Sequence, residues 1–140
     1  MTKKQPLLID TDPGVDDALA LLMAFDSPRH DVVALTIAAG NVGLTHTVAN
    51  ALKLCEVAGV EIPVHAGCDA PLLRPAPDAS YVHGRDGFGD IGYAPAARSA
   101  EDEHAALAMI RLSHAHDGEL VVCMLGPLTN LAVALKLDPT

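Results

Sequence analysis

The sequence predicts an α/β protein whose sheet is mostly parallel and covered by helices on both faces. Short apolar runs typical of buried strands alternate along the chain with longer segments whose apolar residues have helical spacing. Strands separated by helices are joined by crossovers, which makes neighbouring strands parallel. The 140 residues are the size of one domain, and with 50% apolar but only 3% aromatic residues the core must consist mainly of Ala, Leu and Val.

The first predicted strand covers residues 7–9, and the first helix covers residues 18–25. A Pro-Gly turn and four aspartates stand at their junction: Asp10, Asp12, Asp16 and Asp17. Alternate strand residues point the same way, so we expect Asp10 and Asp12 to share one direction. Asp16 and Asp17 fall in the first helical turn, near its free N–H groups.

This aspartate cluster predicts a metal site. Two carboxylates about 4 Å apart repel by about 4 kcal/mol at an effective dielectric near 20. Protonation or a hard cation offsets such repulsion, and ligands that are all oxygen favour Ca²⁺ or Mg²⁺ over zinc. The alternative is that Asp16 and Asp17 cap the helix while Asp10 orders a loop, although four acids exceed what capping needs.

The middle of the chain continues the alternation. We predict a strand at residues 32–38, a helix from Thr45 that Gly59 stops, and a short strand at residues 62–65. One face of that helix should carry Val48, Ala51, Leu52, Cys55 and Ala58. Residues 67–98 have no periodicity, and an irregular segment of this length is usually functional or mobile.

The last third repeats the pattern once more. Ser99 and Asp102 predict a capping box for a helix at residues 104–114, and residues 120–125 predict a fourth strand. Residues 126–130 then form a tight turn with proline in the first turn of a final helix. The inward-facing residues of these two helices should be Ala106, Met109, Ile110, Ser113, Leu131 and Leu135.

Two further polar residues stand in loops that such a fold would bring towards the acids. Asn41 follows the second strand, where it is either a turn residue that tolerates left-handed backbone or a ligand group at the same sheet edge. His83 lies in a glycine-rich stretch, either as an ordinary loop histidine or as a titratable group of a site.

Charge and cysteine content exclude several function classes. A net charge of −9 without clustered Lys and Arg argues against a nucleic-acid partner. Cys55, Cys68 and Cys123 are odd in number and lack metal-knuckle spacing, which is typical of reduced thiols. With no signal peptide or transmembrane run recognised, we expect a cytoplasmic protein without a membrane partner.

Residues 10–18, Asp-Thr-Asp-Pro-Gly-Val-Asp-Asp-Ala, closely resemble the signature of the nucleoside hydrolases, the calcium-dependent N-ribohydrolases that prefer inosine or uridine. Residues 67–72, 83–84 and 126–130 resemble further segments of the same family. The resemblance implies a Rossmann-like nucleoside hydrolase fold, with residues 1–140 forming the N-terminal portion of a single domain that is incomplete at its C-terminus. The remainder of the family domain would supply another calcium-binding aspartate, a ribose-binding asparagine and a histidine near the leaving base.

The activity that this resemblance implies is hydrolysis of the N-glycosidic bond of a ribonucleoside by a calcium-bound water, as in purine or pyrimidine salvage. Calcium would be held by Asp12, Asp17 and the main-chain carbonyl of Leu125, with Asp12 also acting as general base. The resemblance places Asp16 and Asn41 on the ribose.

Two other residues have roles near the site in this interpretation. His83 belongs to a flexible loop that borders the active site and is a candidate catalytic residue, as the resemblance implies. Asp10 is assigned to ordering the acidic loop.

Two other functions remain open at this point. An aspartyl phosphotransferase of the haloacid-dehalogenase type also begins with a strand and Asp-x-Asp, with Asp10 as nucleophile, Asp12 as acid and Mg²⁺ as metal. A fragment that binds ribose without turnover is the non-enzymatic alternative. A parallel sheet cut after four strands leaves an uncovered edge and face, so we also expect a homo-oligomer or an attached second half.

Overall fold

The computed structural model describes residues 3–140, which fold as one parallel sheet with helices on both faces. In chain order the elements are β1 (Gln5–Thr11), α1 (Val15–Phe25), β2 (His30–Ile37), α2 (Leu44–Ala58), β3 (Val64–Ala66), α3 (Ser80–His83), α4 (Ala105–Ala115), β4 (Val121–Met124) and α5 (Thr129–Leu137). This confirms the predicted α/β class and each of the four strands.

The sheet order β3-β2-β1-β4 places β1 in the interior. All three strand pairings are parallel, and Asp10 of β1 lies opposite Thr36 of β2 and Met124 of β4. Because parallel strands all run the same way, their carboxyl ends meet at one edge. The loops after β1, β2 and β4 therefore share that edge.

Alternate residues of β1 enter two separate cores. Leu7 and Ile9 pack in a cluster with Leu21 of α1 and the buried face of α2, whereas Leu8 packs with α4 and α5. The second cluster contains Leu8, Ala34, Ala106, Met109, Leu112 and Ala134. The two-residue period of the strand thus determines which helices each side chain contacts.

The chain changes faces between β1 and β4. After β1 it enters α1 on one face, and after β4 it enters α5 on the other. In open α/β sheets such a reversal leaves a crevice outside the carboxyl ends of the two strands, and ligands bind there. Asp12 follows β1 and Leu125 follows β4, so both lie beside this crevice.

The predicted capping box of α4 was wrong, although the helix starts at Ala105, one residue after the predicted His104. The helix is capped by His104, whose Nδ1 accepts a hydrogen bond from Ala106 N at 3.1 Å, and not by Ser99 and Asp102. The chain before it is extended, because Glu101 forms a β-bridge with His65 and its N–H donates to Val64 O at 2.8 Å. This pairing keeps residues 99–102 out of a helical turn.

Three residues predicted on the apolar faces of helices are instead exposed. Leu135 is 55% exposed and Ala134 is buried in its place, because α5 packs against the Leu8 cluster through the small Ala134 side chain. Ser113 is exposed while Leu112 is buried, and Ala58 is exposed at the end of α2. The left-handed Gly59, with φ of 68°, ends α2 as predicted.

Residues 67–98 are irregular apart from the single turn α3, as predicted. Across the described range, no helix combines the length and the hydrophobicity needed to cross a membrane. Cys55, Cys68 and Cys123 are all free thiols.

Candidate active site

Asp10 lies at the centre of the site and is fully buried. Its Oδ2 accepts hydrogen bonds from Thr36 Oγ1 at 2.8 Å and from Asn130 Nδ2 at 2.9 Å. Burial raises the pKa of this carboxyl to about 6, although both hydrogen bonds lower it. Asp10 therefore joins β1 to β2 and α5, which supports its predicted ordering role.

Asp12 follows β1 in a space that two glycines create. A Cβ atom on Gly40 would lie 2.1 Å from Asp12 Oδ2, and one on Gly126 would lie 2.8 Å from Oδ1. Asn41 N donates to Oδ2 at 2.8 Å. Burial and, to a smaller extent, the negative charge of Asp17 raise the pKa of Asp12 to about 6, against the hydrogen bond from Asn41. The glycines in the loops after β2 and β4 thus let both loops close around one carboxylate.

Asp17 turns back from the first turn of α1 towards β1. Its Oδ1 accepts a hydrogen bond from Thr11 Oγ1 at 2.8 Å, and its Oδ2 accepts from Gly14 N at 3.1 Å. Burial raises the pKa of this carboxyl against those two hydrogen bonds, and the charge of Asp16 raises it as well. Asp17 therefore caps the helix, but it is also buried beside the other acids.

Asn41 connects the two acids that were predicted to bind metal. Its side-chain Nδ2 donates to Asp17 Oδ2 at 3.0 Å and to the Asp12 carbonyl at 2.9 Å. Its main-chain N–H is the donor to the Asp12 carboxylate. Asn41 is therefore more than a turn residue, because it holds Asp12 and Asp17 in one cluster.

His83 and Asp16 lie at the rim of the site. The Asp16 side chain is 82% exposed, and its Oδ1 is 4.0 Å from His83 Nδ1. His83 Nδ1 accepts a hydrogen bond from Val15 N at 3.3 Å. In the neutral ring an accepting Nδ1 leaves the proton on Nε2. The structure thus brings the predicted loop histidine to the acidic cluster with Nε2–H as a donor.

Leu125 lies directly after β4, where its N–H donates to the Asp10 carbonyl at 2.8 Å. This main-chain bond continues the β1–β4 pairing beyond the end of β4. The peptide that carries the predicted carbonyl ligand is thereby attached to the acid-bearing end of β1.

Sequence reasoning missed Asn130 as a site residue. This fully buried side chain donates from Nδ2 to Asp10 Oδ2 and to Ile37 O, at 2.9 and 3.1 Å, while its Oδ1 accepts from Cys68 N at 2.8 Å. The available signal was a polar residue at the helix position next to Leu131, which was predicted to face the core. It was interpreted only as part of a turn.

The donor chemistry of Asp12, Asp17 and the Leu125 carbonyl fits a hard divalent cation, because every donor is oxygen. Burial and charge raise the pKa of both carboxyls, which shows that the ionised pair is destabilised without a counter-charge. Asp10 Oδ1 is buried and has no hydrogen-bond partner among the described residues. Within residues 3–140 no group of three or more His, Cys, Asp or Glu side chains is placed to hold a metal, so a main-chain oxygen would have to complete the set.

Residues 7–140 match the sequence model of the family described as inosine-uridine preferring nucleoside hydrolase. The chain belongs to this family. Over 138 residues, this nucleoside hydrolase chain is 43% identical to uridine nucleosidase 1 of Arabidopsis thaliana. The alignment covers 97% of this chain and 41% of the relative.

Two solved nucleoside hydrolases have the same fold. A plant nucleoside hydrolase superimposes with a TM-score of 0.93 at 41% identity, covering 99% of this chain and 44% of the other. A purine-preferring ribonucleoside hydrolase from Gardnerella vaginalis gives 0.91 at 34% identity, covering 96% and 44%. The chain thus spans less than half the length of these proteins.

The predicted membership of the nucleoside hydrolase family and its fold are confirmed, and none of these relatives favours a phosphotransferase. The buried position of Asp10 argues against that alternative as well. A nucleophilic carboxylate must reach its substrate, whereas Asp10 is fully buried and held through Oδ2 by two neighbours.

Proposed function

We propose that the full-length protein containing this chain hydrolyses the N-glycosidic bond of ribonucleosides to give ribose and a free base. The observation that supports this most strongly is that Asn41 donates hydrogen bonds to both Asp12 and Asp17, at the crevice between β1 and β4. Both carboxylates belong to residues 10–18, which resemble the family's signature, in a chain that matches the family from residue 7 to residue 140.

Asp12, Asp17 and the main-chain carbonyl of Leu125 would hold a calcium ion in this proposal. When bound, the ion supplies positive charge that lowers the pKa of a coordinated water and favours hydroxide. The chain's own contribution is a set of oxygen donors that Asn41 holds together by hydrogen bonds to both carboxylates, while burial leaves those carboxylates in need of a counter-charge.

Asp12 is the proposed general base. Asn41 N–H occupies its Oδ2, which leaves Oδ1 as the proton acceptor. A catalytic base works best when its pKa is near the operating pH, and burial moves the pKa of Asp12 to about 6. Negative carboxylates around the sugar would also stabilise an oxocarbenium-like transition state.

The residues at the rim are proposed to bind substrate. Asp16 is exposed and ionisable, so it can accept hydrogen bonds from ribose hydroxyls, with Asn41 beside it. His83 presents Nε2–H as a donor. The relatives are named for different bases, uridine and purines, so we propose that residues 1–140 recognise mainly the ribosyl group that their substrates share.

The protein is further proposed to be a cytoplasmic homo-oligomer. Apolar side chains are exposed on the outer strand and on α1, with Val121 42%, Leu19 64% and Met23 76% exposed. The remainder of the full-length protein or a second copy would bury that surface, and we propose that a second copy buries part of it. Sedimentation of the full-length protein should show a dimer or larger species, and a stable monomer would contradict this part of the proposal.

The deciding assay incubates the full-length protein with inosine and with uridine, with and without Ca²⁺, and measures release of base and reducing sugar. We expect base release that requires the cation. Release of phosphate from a phosphate ester, without base release from either nucleoside, would overturn the proposal in favour of a phosphotransferase. Ribose binding without any turnover would favour the non-catalytic alternative.

A further inference from the structure

A second buried asparagine, Asn50, lies on α2 outside the aspartate cluster. Its side chain is fully buried, and each polar atom has a partner. Nδ2 donates to Pro13 O at 2.9 Å and to Asp86 O at 2.8 Å, while Tyr93 Oη donates to Oδ1. One amide thus connects the turn that follows Asp12 with two points of the glycine-rich loop at residues 84–93.

This loop depends on Asn50 for its polar attachment. Among the described residues, hydrogen bonds of residues 85–93 either stay within residues 83–93 or end on Asn50. A Cβ atom at Gly87 would lie 2.8 Å from Asn50 Nδ2. The φ of Gly87, +84°, also disfavours any residue other than glycine. The loop backbone is therefore shaped to approach this amide closely.

The loop continues directly from His83. His83 is held at Val15 N on one side, and residues 85–93 fold back over Asn50 on the other. Phe88 and Tyr93 pack against each other with ring centroids 5.8 Å apart, which gives the folded loop an apolar contact of its own. His83 O accepts a hydrogen bond from Gly89 N at 2.7 Å, so residue 83 is joined directly to the loop that follows it, while His83 N donates to Ala79 O at 3.1 Å.

We propose that Asn50 is the positioning residue for His83. By attaching residues 86–93 to the Pro13 carbonyl, Asn50 keeps the imidazole beside Val15 and 4.0 Å from the Asp16 carboxylate. The inference rests on the proposed function for its catalytic meaning, since His83 matters there as a donor towards substrate. The attachment itself is a property of the fold and can be measured without substrate.

The physical reason for an asparagine here is its pair of donors beside one acceptor. Pro13 O and Asp86 O both need an N–H donor, and Tyr93 Oη needs an acceptor. An aspartate of the same shape would place carboxylate oxygens against two carbonyls and could not donate to them when ionised. Asn50→Asp therefore removes the two donations to Pro13 O and Asp86 O with little change in volume, while Tyr93 Oη can still donate to the carboxylate.

The test compares three variants of the full-length protein by amide hydrogen exchange and by the reaction of His83 with diethyl pyrocarbonate, without nucleoside. Asn50→Asp should speed exchange in residues 84–93 at least about tenfold, which corresponds to about 1.4 kcal/mol of lost protection, and should make His83 more reactive. Tyr93→Phe removes only the hydroxyl that donates to Asn50 Oδ1, so it should give a smaller increase in the exchange rate at the same positions.

Thr47→Val is the matched control, because Thr47 is also buried on α2 but its hydroxyl donates to Ala38 O and Leu44 O, away from the loop. It should leave loop exchange and His83 reactivity unchanged. Unchanged loop exchange in Asn50→Asp, or an equal increase in Thr47→Val, would overturn the inference. If Asn50→Asp does not fold, Tyr93→Phe decides, and its loop exchange must then rise.

Activity separates this inference from the proposed function. In Asn50→Asp we expect a higher KM for inosine or uridine together with a lower kcat, whereas a purely structural loss would lower the amount of active enzyme without changing KM. If the wild-type protein releases no base from nucleosides but the exchange pattern is as expected, the proposed function fails while the attachment of the loop stands.

Discussion

Asn130 Nδ2 donates a hydrogen bond of 2.9 Å to Asp10 Oδ2, which joins α5 to β1 across 120 positions of sequence. The same Nδ2 also donates to Ile37 O, at the end of β2, and Oδ1 accepts from Cys68 N after β3. One buried amide therefore connects the carboxyl ends of three strands to the helix that follows the fourth. The acid cluster is built on this connection.

Replacing Asn130 with leucine should strongly destabilise the protein. Asp10 Oδ2 and Ile37 O would each lose a donor and Cys68 N would lose its acceptor, and an unsatisfied buried polar group costs about 1–3 kcal/mol. We expect the free energy of unfolding to fall by several kcal/mol in chemical denaturation. Lys136→Ala, at an exposed position of the same helix, serves as the control and should change it by less than about 0.5 kcal/mol.

Asp12→Asn and Asp10→Asn should affect turnover differently. Asparagine at position 12 keeps one oxygen ligand but removes the charge and the basicity, so base release should fall by at least about 10²–10⁴. At position 10 the amide oxygen can still accept from Thr36 and Asn130, so saturating Ca²⁺ should restore part of any loss.

The measurement is base release from inosine and uridine by the full-length variants at saturating Ca²⁺. Asp31→Asn, at an exposed position near the opposite end of β2, is the control. Near-normal turnover in Asp12→Asn would refute the assignment of the base. Loss of turnover in Asp10→Asn but not in Asp12→Asn would support the phosphotransferase mechanism.

Calcium should stabilise the protein against heat. A ligand that binds only the folded state at a hundredfold excess over its dissociation constant adds about 2.7 kcal/mol. Thermal melting in EDTA and in millimolar Ca²⁺ measures this shift, and Asp17→Asn should reduce it. A melting curve that neither Ca²⁺ nor Mg²⁺ moves would show that the proposed ligands do not bind a cation.

Without metal, the acid cluster should make the protein more stable at pH 5 than at pH 7.5. Burial raises the pKa of Asp10 and Asp12 from 3.8 to about 6, so the folded state binds more protons between those values. The stability that results is complete below pH 3.8 and is lost as the pH rises through about 6.

The expected gain at pH 5 is on the order of 1 kcal/mol from each carboxyl. Denaturation in EDTA at both pH values measures it, and the difference between wild type and an Asp10→Asn/Asp12→Asn variant isolates it from other groups. Asp138 does not interfere, since its pKa is lowered to about 2 and its effect falls below this range. An equal pH dependence in the variant would contradict the prediction.

Local patterns in the sequence determined the class of fold and indicated the first members of the candidate site. The alternation of apolar strands and amphipathic helices predicted the parallel sheet, and Gly59 marked the end of α2. The sequence made three aspartates recognisable, Asp12, Asp16 and Asp17. The end of a strand, a turn and the beginning of a helix all lie within eight residues there. Such features depend on neighbours in the chain, so periodicity and turn chemistry are sufficient to predict them.

The tertiary structure decided which distant residues complete the site. Asn130 and Asn50 carry no local signal of their roles, because their partners are set by the order β3-β2-β1-β4 and by the course of an irregular loop. The same applies to α5, where packing selected Ala134 over Leu135 for burial. It also applies to α4, where pairing of Glu101 with β3 replaced the predicted capping box by a cap at His104. These outcomes depend on contacts between elements far apart in sequence. Buried polar groups there need hydrogen-bond partners, and side chains must fit the space between the sheet and the helices, so these two demands outweigh the local structural preference of each residue.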